Sequence, residues 1–348
     1  MNLNHLIFPD LLRIIASYTV ILVHVTSIGL HDYPIGSHVW STSLAVNSVT
    51  HWAVPVFFMI SGMFFLDPER NFSLSKLYHH NIYKIIRCII FFGIFYSILD
   101  QYIYSTISLK SIIIALYGII TANTGYHLWF LYSLVILYIS VPLLRLFTER
   151  ATQTQLKYAL VFWFVSEILI SQINLIINEL FSLKDFFPFS MFILGDYAGY
   201  FVLGYYLHRY KLALRTKRVF QIMAFFCFIT TPILNIILSS SFGLANGSAL
   251  TNSLGLSSFI IAVSIFISVS QLEHCNFPPK IRTFIYRLSS LSFGVYLTHV
   301  FFISLFFRIL TSSIPSTLPF FTIFVASTVI YFLSLAVSYV FQLLPKQR

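Results

Sequence analysis

Pro9 to Ser27 reads PDLLRIIASYTVILVHVTS, and this stretch decides the fold because it sets an arginine and a histidine inside a run long enough to cross a bilayer. Taking 8–30 as helix gives about 34 Å at ~1.5 Å per residue, against a hydrocarbon core of ~30 Å. Arg13 and His24 are eleven residues apart. At ~100° per residue both side chains leave one face of the helix, separated by ~16 Å along its axis. A charge at mid-span costs on the order of 2.5–3.5 kcal/mol and is normally turned toward a bundle interior or a wet cavity, which makes the pair a candidate functional face. The plainer readings are that Arg13 snorkels to the headgroups or pairs with Asp10 one turn below, and that His24 only hydrogen-bonds a neighbouring helix.

The rest of the chain has the same character. It is 58% hydrophobic, 18% aromatic and 9% charged over 348 residues, with a mean hydropathy of +0.85; a soluble domain carries ~25% charged residues. The fold class this implies is an all-α polytopic membrane protein, a bundle of about ten transmembrane helices forming one domain over 1–348. The spans are expected near 8–30, 46–66, 82–104, 127–147, 157–177, 188–208, 219–239, 252–270, 287–309 and 318–343. The first run lacks a basic segment ahead of it and a small-residue cleavage site, so it reads as a span and not a signal peptide. With this placement seventeen Lys and Arg residues fall in loops on one side and three on the other. The positive-inside rule then puts both termini in the cytoplasm, and it accounts for the net charge of +10 without nucleic acid. The apolar part of 111–120 is too short to span and reads as an outer-face element over the cavity mouth. Cys88, Cys227 and Cys275 show no metal-ligand spacing and imply neither a disulfide framework nor a metal site.

Polar residues recur where plain spans would not need them. VPVFFMISG, 54–62, holds Pro55 and the Ser61–Gly62 pair, which predict a kink or an unwound turn. Lys84 and Arg87 lie one helical turn apart, spaced to grip one anion together. His127 and Trp129 open the fourth span at its outer end, and Glu167 and Asp196 sit inside the fifth and sixth. His299 falls ~18 Å into the ninth, at a height comparable to His24.

In order along the chain, the Arg13–His24 spacing, VPVFFMISG, Lys84 with Arg87, HLWFLYSLVILYISVPLL, the 195–209 segment GDYAGYFVLGYYLHR and SFGVYLTHV resemble membrane acyltransferase family 3. Its members include O-acetyltransferases of the O-antigen and enterobacterial common antigen type. Lys84 stands where many members have Arg. The resemblance implies an integral O-acyltransferase of the bacterial cytoplasmic (inner) membrane, moving an acyl group, usually acetyl, from acetyl-CoA or another acyl-CoA to a sugar hydroxyl of a surface polysaccharide or lipid-linked glycan. On that reading His24, as general base, and Arg13 are the catalytic residues, and Ser61, Trp129, Tyr296 and His299 bind the acyl donor as candidate hydrogen-bond donors to the developing oxyanion. Lys84, Arg87 and Arg13 receive the anionic end of the donor, whose thin pantetheine arm threads up a channel walled by the Arg13–His24 face. The competing reading is a transporter with His24, Glu167 and Asp196 as a proton relay.

Overall fold

The computed structural model describes residues 5–104, 109–122, 125, 127–181, 195, 197–244, 250, 252–307 and 317–343. The chain is an all-α polytopic membrane protein, and every regular element among the described residues is helical. The first helix, α1 (Phe8–Asp32), is the hub, packing against five others. Its first turn has no side-chain cap of its own. The backbone N–H groups of Ile7 and Phe8 donate instead to the Glu273 carboxylate at 2.8 and 3.0 Å, a charge that also complements the positive end of the helix dipole.

The second predicted span is interrupted, as its Pro and Gly suggested, but upstream of both. α2 (His38–Ser48) ends, Val49–Trp52 turn, and α3 (Ala53–Phe65) restarts with Pro55 in its first turn, where a missing N–H costs nothing. Through Ser61 and Gly62 the helix runs unbroken, because that glycine serves a contact and not a kink.

α4 (Leu74–Lys76) leads through a π-helical turn (Leu77–Ile82) into α5 (Tyr83–Tyr104). α6 (Leu109–Ile120) packs on α5 and receives a 2.7 Å hydrogen bond from Tyr132 on α7 (Trp129–Arg150) to the Ile119 carbonyl. It is too short to span, as expected. α8 (Gln153–Trp163), a π-helical stretch (Phe164–Ile170) and α9 (Ser171–Phe181) follow as one rod, started by a Thr152–Gln155 capping box. The chain closes with α10 (Ala198–Arg209), α11 (Leu214–Phe242), α12 (Leu256–Ser270), α13 (Pro279–Leu305) and α14 (Pro319–Leu343).

Nine segments among the described residues are long and apolar enough to cross a membrane, where the sequence suggested about ten. The difference lies at 188–208, of which 188–194 and 196 fall outside the described residues; the twelve residues of α10 cover ~18 Å, half a span. α10 lies along α3, itself thirteen residues long. A Cβ on Gly62 would collide with the Phe201 carbonyl, and one on Gly204 with the Met59 carbonyl, so each helix offers a glycine to the other's backbone. On the outside of the bundle, Phe225, Phe226, Ile229 and Ile233 of α11 present an exposed apolar face suited to lipid.

At the basic end one buried arginine fixes the turn after α3. The Arg145 guanidinium donates to the carbonyls of Phe65 and Asp67 at 3.1 and 2.9 Å and, at 3.3–3.4 Å, to those of Pro68 and Arg70, with Nε on Glu149 at 3.0 Å. These satisfy carbonyls that a helix end leaves without partners.

Candidate active site

His24, Ser27, Ile28 and His31 recur at helical spacing on α1 and line a cavity of about 690 Å³. The facing wall comes from the places where other helices start or stop: His51 from the α2–α3 break, Trp129 from the first residue of α7, Tyr197 from just before α10, and Asn252 from the turn before α12. Interrupting the second span is what brings the His51 side chain into this cavity. Asp32 is the carboxylate among the lining residues, at the C-terminal end of α1.

Behind His24 lies a layer of buried rings. The His24 and His299 ring centroids are 5.1 Å apart, and His299 lies 5.4 Å from His127, which in turn meets the Tyr96 ring edge-on at 4.7 Å. The Tyr296 hydroxyl donates to the His127 carbonyl at 2.5 Å. His299 Nδ1 donates to the Tyr296 carbonyl at 2.7 Å, which leaves its Nε2 as the lone-pair nitrogen of the neutral ring. These commitments correct two of the four predicted oxyanion donors: the protons of Tyr296 and His299 are already spent on backbone oxygens.

Arg13 lies on the other side of that layer. It lines a second cavity, of about 340 Å³, with Asp10, Ser61, Tyr138 and Tyr296. The two cavities share no lining residue. Arg13 and His24 thus line separate cavities on the α1 face, and Tyr296 lines the arginine chamber while holding the His127 carbonyl. Arg13 does not snorkel away from its helix; its Nη1 donates to Asp10 at 3.0 Å, and Asp10 also accepts from Ser289 at 2.7 Å and contacts His5 Nε2 at 2.6 Å. Ser61 shares a hydrogen bond with Tyr138.

Lys84 and Arg87 line one groove of about 540 Å³, each lying over an aromatic ring. Lys84 Nζ sits 5.1 Å over the Phe293 ring and the Arg87 guanidinium 5.5 Å over Tyr83. Phe293 connects the first of them to the site, since it lines both the arginine chamber and a second groove that holds Lys84. Glu167 lies in the π-helical stretch and lines neither chamber; Asp196 lies outside the described residues. Among the described residues no cluster of His, Cys, Asp or Glu is arranged to hold a metal ion.

His51 and His127 went unweighted as functional residues in the sequence. His51 was available, since it falls inside the predicted 46–66 span and meets the same criterion of an ionisable group within an apolar run that picked out His24.

Neither the comparison with curated proteins nor that with solved structures found a match. A family model described as the acyltransferase domain of acyltransferase family 3 matches residues 6–342, taking in both chambers and nearly every described helix, and the chain belongs to that family of membrane acyltransferases.

Proposed function

We propose that the protein is an O-acyltransferase of the bacterial inner membrane, which moves an acyl group, acetyl in the simplest case, from cytoplasmic acyl-CoA to a sugar hydroxyl of a surface polysaccharide or its lipid-linked precursor. The observation that carries this reading is the placement of His24: it lines a chamber of about 690 Å³ and backs onto the ring layer beyond which Arg13 lines a second, narrower one. With the basic loops on the cytoplasmic side, the arginine chamber faces the pool of acyl-CoA and the histidine chamber faces the exported glycan.

The narrow chamber suits the thin arm of the donor. Lys84 and Arg87 remain outside it, where the phosphates of the nucleotide end would lie, and no carboxylate among the described residues pairs with either. Arg13, with one of its donors held by Asp10, keeps the others for carbonyl oxygens along the arm. His24 takes the proton of the acceptor hydroxyl as its oxygen attacks the thioester carbonyl. The tetrahedral oxyanion collapses with cleavage of the C–S bond, and the leaving thiolate takes the proton from the imidazolium to give free coenzyme A and the ester.

Loss of a general base costs typically 10²–10⁴-fold. His24→Ala is therefore expected to insert normally and to remove acetyl ester from the envelope glycans, read by mass spectrometry of glycans from expressing cells. Unchanged ester content with the variant present in the membrane overturns the assignment.

A further inference from the structure

The interruption between α2 and α3 sets a second imidazole in the histidine chamber, and its neighbours determine what it can do. Asn47 Nδ2 donates to the Val23 carbonyl at 3.2 Å and to Thr26 Oγ1 at 2.9 Å. The amide is thereby oriented, and its Oδ1 faces His51 Nε2 at 2.9 Å. An amide oxygen only accepts, so Nε2 carries the proton and the lone pair of the neutral ring lies on Nδ1. Asn47 is 4% exposed, and a flipped ring would leave its oxygen buried without a donor. The arrangement is anchored to the carbonyl of the residue preceding His24, which ties the two imidazoles to the same turn of α1.

A further polar side chain stands in the same wall, with its oxygen turned away from the open space. Asn252 lines the chamber, and its buried Oδ1 has no hydrogen-bond partner among the described residues. Beside these side chains stand the rings of Trp129 and Tyr197, with centroids 5.5 Å apart. Two imidazoles and an amide in one chamber wall suit a ligand that brings several hydroxyls, which a polyol does and a monohydric alcohol does not.

We propose that His51, locked by Asn47 with its lone pair on Nδ1, and Asn252 form the acceptor-binding subsite of the histidine chamber. They hydrogen-bond hydroxyls of a saccharide adjoining the one that His24 deprotonates, His51 accepting through Nδ1 and the Asn252 amide donating through its N–H. This rests on the acyl-transfer reading and adds to it the residues that select a polyhydroxylated acceptor.

The test measures transfer of labelled acetyl from acetyl-CoA to delipidated envelope glycan by the full-length protein in nanodiscs, varying each substrate in turn. His51→Leu, Asn47→Leu and Asn252→Ala are each expected to raise the KM for glycan at least tenfold while the KM for acetyl-CoA stays within twofold. His51→Gln, which retains a neutral acceptor, falls between wild type and His51→Leu. An unchanged glycan KM, or equal shifts in both KM values, overturns the subsite and leaves the acyl-transfer reading standing. A wild-type protein that transfers no label overturns that reading, and the subsite with it.

Discussion

On the proposed reading a proton taken by His24 leaves negative charge on the thioester oxygen, and of the four side chains first considered for stabilising it Trp129 is the one we propose. Tyr296 and His299 have spent their protons on backbone carbonyls, and Ser61 lies in the other chamber beside Tyr138. Trp129 shares the chamber of His24 and carries one indole N–H, a donor that needs no deprotonation. Trp129→Phe keeps the ring and removes the donor. It is expected to lower kcat by 10²–10³, the usual cost of one oxyanion donor, with both KM values within threefold; a rise in glycan KM at constant kcat shows a stacking role instead. Arg13 and His24 were legible in the sequence because each interrupts a long apolar run at a spacing that one helix face explains. His51 was equally visible but stood among Pro55, Ser61 and Gly62, which drew the reading toward a kink. Which protons are free, and which tautomer a ring adopts, depends on neighbours distant in the chain, such as the His127 carbonyl for Tyr296, and no local pattern carries that information.

Helices of twelve and thirteen residues hold position in this bundle through backbone contact. Gly62 meets the Phe201 carbonyl and Gly204 the Met59 carbonyl, two approaches one turn apart on the same α3–α10 seam. A methyl at either point pushes the helices apart, and overpacking of this kind costs about 1–3 kcal/mol. Gly62→Ala and Gly204→Ala are each expected to lower the midpoint of thermal unfolding in detergent, measured by intrinsic fluorescence. Once one methyl has opened the seam the second adds little, so the double variant costs less than the sum of the two. Gly195→Ala, whose Cβ would meet nothing within 4 Å among the described residues, serves as the control and leaves the midpoint unchanged. Strict additivity would show that the two glycines do not share one seam. Hydropathy located the long spans because apolar length is a local property, but the starts expected at 46, 82 and 287 each lie eight residues earlier, at 38, 74 and 279. It had no means of showing that the second span stops and restarts, or that Gly62 was reserved for the backbone of a helix some 140 residues further on.

On the proposed reading, two chambers without a common lining residue give the molecule as a whole an order: donor from one side, acceptor from the other, with the reacting atoms meeting at the ring layer. Ser61 lines only the arginine chamber and Val54, two turns earlier on α3, only the histidine chamber. A bulky side chain at either position therefore obstructs one substrate and not the other. Ser61→Trp is expected to raise the KM for acetyl-CoA at least tenfold with the KM for glycan within twofold, and Val54→Trp to do the reverse, by initial-rate kinetics in nanodiscs. Both substitutions lie on one helix and burden the fold similarly, so a general loss of packing would move the two constants together in both variants. The crossed pattern arises only if each substrate uses its own chamber. Should Ser61→Trp impair glycan use and Val54→Trp impair acetyl-CoA use, the chambers stand but their substrates are exchanged, and the cytoplasmic placement of the basic loops falls with the assignment.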